Sequence, residues 1–105
     1  EQLFQSQIFF MLYNIKTIIM NINELIAIVR SKLDAKIEIQ DIKIEDKSFL
    51  HKGHKGHQEG KFHLKLTIKS NVLKKLNKIE STKKIYTALD LELKEHIHSI
   101  QILLN

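Results

Sequence analysis

The sequence predicts an α+β fold: a two-layer sandwich with helices covering one face of a three-stranded mixed sheet, in the order α-β-β-α-β. Three observations carry that expectation. Two segments place apolar residues at helical spacing, and each is preceded by an asparagine with a glutamate three residues on. Residues 61–69 alternate apolar and polar side chains at every step. The chain has 105 residues, 43% of them hydrophobic, which suits one domain with one modest core.

The first helix should begin after Asn21, whose side chain and Glu24 have capping-box spacing. Leu25, Val29 and Leu33 form its apolar stripe, with Ile22 and Ile26 beside them, and Asp34 and Ala35 mark its end. A strand is expected over 36–44. Ile37 and Ile39 alternate in one phase and Ile42 and Ile44 in the other, so a bulge near Gln40 and Asp41 would bring both pairs to the buried face.

A polar loop over 45–60 holds all three glycines. The second strand, from about Lys61 to Lys69, turns Phe62, Leu64, Leu66 and Ile68 one way and His63, Lys65 and Thr67 the other. That alternation describes a sheet with one buried and one wet face. A second helix should start after Asn77 with Glu80 completing its cap, and Ile79, Tyr86, Leu89 and Leu93 as its stripe, widened by Ile85. A last strand covers about Ile97 to Leu103. The strand–helix–strand run suits a right-handed parallel crossover.

Residues 1–20 read differently. Ile8 to Tyr13 is an apolar run, and Ile15 to Met20 nearly is, but together they are short for a membrane-spanning helix, which needs about 20 apolar residues. The segment's start lacks the basic residues of a signal peptide. It reads as a loosely ordered extension or as sequence upstream of a start at Met20. The second is the expectation adopted, with residues 21–105 as the domain and a cytoplasmic location.

Net charge is +5 with histidine neutral, almost all from lysine, Arg30 being the single arginine. Base-edge reading of DNA favours arginine, so this surplus fits a general attraction to anions or plain solubility. The chain has no cysteine, which excludes disulfides, a cysteine nucleophile and a self-contained all-cysteine cluster. No nucleophile elbow, P-loop or dinucleotide fingerprint is present, so an enzyme is not expected.

The chemistry rests with six histidines. His51, His54 and His57 repeat every third residue on the glycine-bearing loop, where they could swing toward a metal or bind nothing. His63 falls on the wet face of its strand and reads as a surface residue. His96 sits at a helix end, where a cation suits the macrodipole. His98 opens the last strand in phase with Ile100 and Ile102; a hydrogen-bonded core histidine and a metal ligand are both open readings. Gly53-His54-Lys55-Gly56 matches a Gly-x-x-Gly clamp formally, but it lies between strands rather than helices.

Several blocks together resemble the BolA family. Asp46-Lys47-Ser48-Phe49-Leu50-His51 is similar to its acidic-Ser-x-x-His stretch, and Lys61-Phe62-His63-Leu64-Lys65-Leu66 to its second strand. Leu76-Asn77-Lys78-Ile79-Glu80 and Ile85-Tyr86 with Ala88-Leu89 resemble the following helix. Ile97-His98-Ser99-Ile100-Gln101-Ile102 resembles its closing Val/Ile-His-Ala-Leu-x-Ile strand. The likeness covers about 21–104. It departs where the family commonly carries Arg-His-Arg and this chain has Ser81-Thr82-Lys83, and in lacking the glycine before that helix.

The resemblance implies a fold similar to class II KH domains and a heterodimer with a monothiol glutaredoxin. That pair would bridge a [2Fe–2S] cluster, with thiolates from glutaredoxin and glutathione and histidine from this chain. His98 matches the family's closing-strand histidine, and His51, or His54, its loop histidine. Alone, the protein should hold no cluster and be a monomer or weak homodimer. The family's other implied role is a DNA-binding regulator, for which Lys74, Lys75, Lys78, Lys83 and Lys84 would supply the phosphate contacts.

Overall fold

The computed structural model describes residues 20–48 and 61–105. Helix α1 (Ile22–Lys36) leads into strand β1 (Asp41–Asp46), and β2 (Phe62–Lys69) follows the loop. Helices α2 (Asn71–Lys74), α3 (Lys78–Ala88) and α4 (Asp90–Glu95) then lead to β3 (Ile97–Leu104). The sheet order is β1-β2-β3, with β1 antiparallel and β3 parallel to the central β2. The expected α+β sandwich with a mixed sheet is therefore present, with two short helices added to the crossover.

Both asparagine N-caps form. The Asn21 side chain accepts from the Glu24 N–H at 2.8 Å and donates to its carboxylate at 3.3 Å. Asn77 accepts from the Glu80 N–H at 2.8 Å. The two bonds from backbone N–H satisfy donors that a helix start leaves without a partner. Leu25, Val29 and Leu33 are fully buried and meet Leu64, Leu66 and Ile68 of β2 and Ile85 and Leu89 of the crossover in one cluster. No helix among the described residues is long and apolar enough to cross a membrane.

Three local expectations are corrected. The first strand starts at Asp41, not 36, and no bulge stands at Gln40–Asp41. Helix α1 runs on to Lys36 instead, and Ile37 is its C-cap, its N–H bonded to the Leu33 carbonyl at 2.9 Å. The change of phase between Ile37–Ile39 and Ile42–Ile44 is thus absorbed by the helix-to-strand turn. Ser70 pins that turn from the far side: its hydroxyl donates to the Glu38 carbonyl at 2.7 Å and caps α2.

The second helical stripe is also rotated. Ile79 is 80% exposed and Tyr86 is exposed, while Ser81, Ile85, Ala88 and Leu89 are buried. Ser81 is small enough to sit against the sheet, and its hydroxyl donates to the Lys78 carbonyl at 3.1 Å, so its polarity is satisfied inside the helix. The segment is also two helices: Leu89, at φ −108° and ψ 21°, is the C-cap of α3 and the N-cap of α4. On α4 the buried residue is Glu92, whose Oε2 accepts from Lys32 Nζ of α1 at 2.6 Å.

The third correction concerns β3. Phe62 pairs with Ile97 but His63 pairs with Ser99, so His98 is an extra residue in the ladder. This bulge changes the strand's phase. Ile97 lies in the core on one side of it, and Ile100, Ile102 and Leu104 pack against the core on the other. His98 is exposed and does not share their face.

Candidate metal-ligand site at the start of the parallel strands

The crossover makes β2 and β3 parallel neighbours, so their N-terminal ends meet at one end of the sheet. His63 is the second residue of β2 and His98 the second of β3. Their imidazole centroids are 4.8 Å apart with the rings tilted by 56°. Aromatic pairs favour separations of roughly 4.5–7 Å with non-coplanar rings.

His63 is held from several directions. Its Nδ1 lies 2.6 Å from Ser99 Oγ, the tautomer deciding which of the two donates. Its backbone N–H donates to Ser48 Oγ at 3.0 Å, and its carbonyl accepts from the Lys47 N–H at 2.7 Å. The Asp46 carboxylate in turn accepts from the Ser48 N–H at 2.9 Å, a side-chain-closed turn at the end of β1. The turn over Asp46, Lys47 and Ser48 therefore clamps the start of β2.

This corrects the reading of His63 as a surface residue. It does occupy the face of β2 away from the core, yet it is only 5% exposed. Alternation names the face of a strand but not what lies over it. The signal that could have found it was in the sequence. A parallel crossover sets side by side two histidines that each open a strand.

Beside His63 lies a hollow of about 330 Å³, lined also by Lys47, Lys65, Ser99 and Gln101. Glu45 on β1 faces the same side and pairs with Lys65 across the strands. Burial acts to raise its carboxyl pKa, but Lys43, Lys47 and Lys65 outweigh it and hold the group below the ordinary glutamate range. The hollow beside His63 thus carries two ammonium groups, Lys47 and Lys65. His96, by contrast, is the buried C-cap of α4 and takes no part in the pair.

Among the described residues no three His, Cys, Asp or Glu side chains converge as a metal site. His51 and His54 lie outside the described residues. Lys74, Lys75, Lys78, Lys83 and Lys84 are all exposed on α2, α3 and the turn between them. Lys74 and Lys78 line a hollow of about 640 Å³, Lys83 and Lys84 one of about 560 Å³, and Lys78 and Lys83 another of about 560 Å³.

Residues 33–105 match the family described as BolA-like protein. The BolA domain of SufE1 from Arabidopsis thaliana superposes with a TM-score of 0.62 at 28% identity, over 73% of this chain and 85% of that one. BolA1 from the same plant gives 0.62 and 29% over the same shares. BolA1 from Mus musculus shares the fold at 19% identity, TM-score 0.60, over 73% of this chain and 60% of that one. No curated protein matches the sequence.

Proposed function

The chain belongs to the BolA-like protein family, and we propose that it partners a monothiol glutaredoxin and lends it a histidine ligand for a shared [2Fe–2S] cluster. Its role is then cluster delivery or iron-dependent regulation, as a partner protein and not as an enzyme. The observation that carries this reading is the exposure of His98 on a one-residue bulge. An imidazole needed only for packing would lie within the ladder. Bulges are over-represented beside functional sites, where they re-aim a side chain.

The donor chemistry fits. With no cysteine in the chain, what it offers an iron is imidazole nitrogen. His98 would hold the cluster, with His51, or His54, as the second imidazole from the glycine-bearing loop. When bound, such a cluster supplies a redox centre whose potential lies above that of an all-thiolate one and responds to protonation. The chain's own part is to present His98 to a partner's iron and to fix its direction.

The test is titration into a glutaredoxin carrying [2Fe–2S] and glutathione, followed by visible circular dichroism. The wild type should change the spectrum, and His98→Ala should remove the change while leaving the unfolding midpoint unmoved. A spectrum indifferent to the wild-type protein overturns the reading. The exposed lysines favour DNA as the second reading. Duplex affinity that falls steeply with salt, in the absence of any spectral change with glutaredoxin, would put it first.

A further inference from the structure

We infer that His63 is a positioning residue for His98, a locked ring against which the exposed imidazole is held in the direction it needs. The inference deepens the proposed function and rests on its assignment of His98.

The bulge explains why such a residue is needed. His98 is surplus to the β2–β3 ladder, so strand pairing does not set the direction of its side chain. An exposed side chain of that kind samples several rotamers, and each must be given up on binding. A neighbouring ring restricts them beforehand, and preorganisation of this sort raises affinity without adding a contact to the partner. His63 is the neighbour, with ring centroids 4.8 Å apart.

A useful platform must itself be immobile, and His63 is. Ser99 Oγ lies 2.6 Å from its ring nitrogen, and the turn after β1 bonds both its N–H and its carbonyl. Ser99 follows His98 directly in the chain. One residue after the bulge therefore anchors the ring that faces the bulged one, and the two imidazoles are referred to the same stretch of backbone. Partners that orient a metal-ligating histidine from outside the ligand set are worth about 10–100-fold in affinity where they have been removed.

The experiment compares wild type, His63→Ala, His63→Phe and Ser99→Ala in the full chain, with two readouts. In the isolated protein, three-bond NMR couplings report the His98 χ1 rotamer. In the pair, visible circular dichroism gives the apparent Kd for glutaredoxin loaded with [2Fe–2S] and glutathione. His63→Ala should average the His98 rotamer and weaken binding by about 10-fold or more. His63→Phe keeps a ring and should restore a single rotamer and most of the affinity. Ser99→Ala, an exposed site that does not threaten folding, should fall between.

An unchanged rotamer in His63→Ala overturns the inference. So does a His63→Phe protein with a fixed His98 and affinity as low as His63→Ala, which would make His63 a ligand in its own right. If the wild type fails to bind loaded glutaredoxin, cluster sharing falls, and the rotamer measurement still decides whether His63 holds His98.

Discussion

The two sides of β2 obey the same alternation and do different work. On the helix side, Leu64, Leu66 and Ile68 are sealed under α1 and α3. On the other side, Lys65 and Thr67 are half-buried and polar, yet His63, in the same row, is nearly as inaccessible as the leucines. Burial on the first side comes from apolar area. Burial of His63 comes with directed polar bonds to Ser99, Ser48 and Lys47. The first kind of burial is read from residue type. The second depends on which chain segments arrive alongside.

The contrast can be broken most forcefully at adjacent residues. Leu66→Ala should cost about 2–5 kcal/mol, through lost transfer energy and a cavity the helices cannot close. Thr67→Ala, one residue on and facing the other way, should stay within about 0.5 kcal/mol. Urea midpoints at constant m-value measure both. Equal losses would mean that the open side carries as much packing as the core.

A charge on the helix side gives the next effect. Glu92 is 4% exposed, its Oε2 is bonded to Lys32, and its Oε1 has no hydrogen-bond partner among the described residues. Lys32→Met should destabilise by about 2 kcal/mol, the cost of leaving a buried acceptor unpaired, moderated because the lysine side chain is 37% exposed. Adding Glu92→Leu should recover most of that loss in the same urea assay. A double variant no better than the single would show that the pair does more than cancel its own burial.

The smallest effect lies on the open side. Glu45 has a folded-state pKa below its ordinary value, held there against partial burial by Lys43, Lys47 and Lys65. A depressed carboxyl contributes stability in full above its unfolded pKa and loses it as pH falls through the folded one. Glu45→Gln should therefore be slightly less stable than wild type at neutral pH, and the difference should close in acid. A gap that widens on acidification contradicts the assignment.

Much of this was legible in the chain. Asn21 and Asn77 announced both main helices because a cap is a local bond between near neighbours. Leu25, Val29 and Leu33 named the buried face of α1 because nothing interrupts their spacing. The α3 stripe misled because hydrophobicity was the wrong criterion there: Ser81 is inside with its hydroxyl bonded to its own helix, while Ile79 is outside. The site was half legible. His98 was singled out, but its surroundings depend on a register shift between β2 and β3, and no period within a single strand encodes that. The BolA-like resemblance pointed to His98; the reason it faces outward lay in the pairing.

The bulge on β3 has a consequence for how such a position can change over time. Every other residue of the strand is tied to a rung, so its size and shape answer to a neighbour across the ladder. Position 98 has no rung and answers only to the His63 ring beside it. A lineage could trade its imidazole for a thiolate or a carboxylate and leave the scaffold untouched, retuning chemistry at no architectural expense.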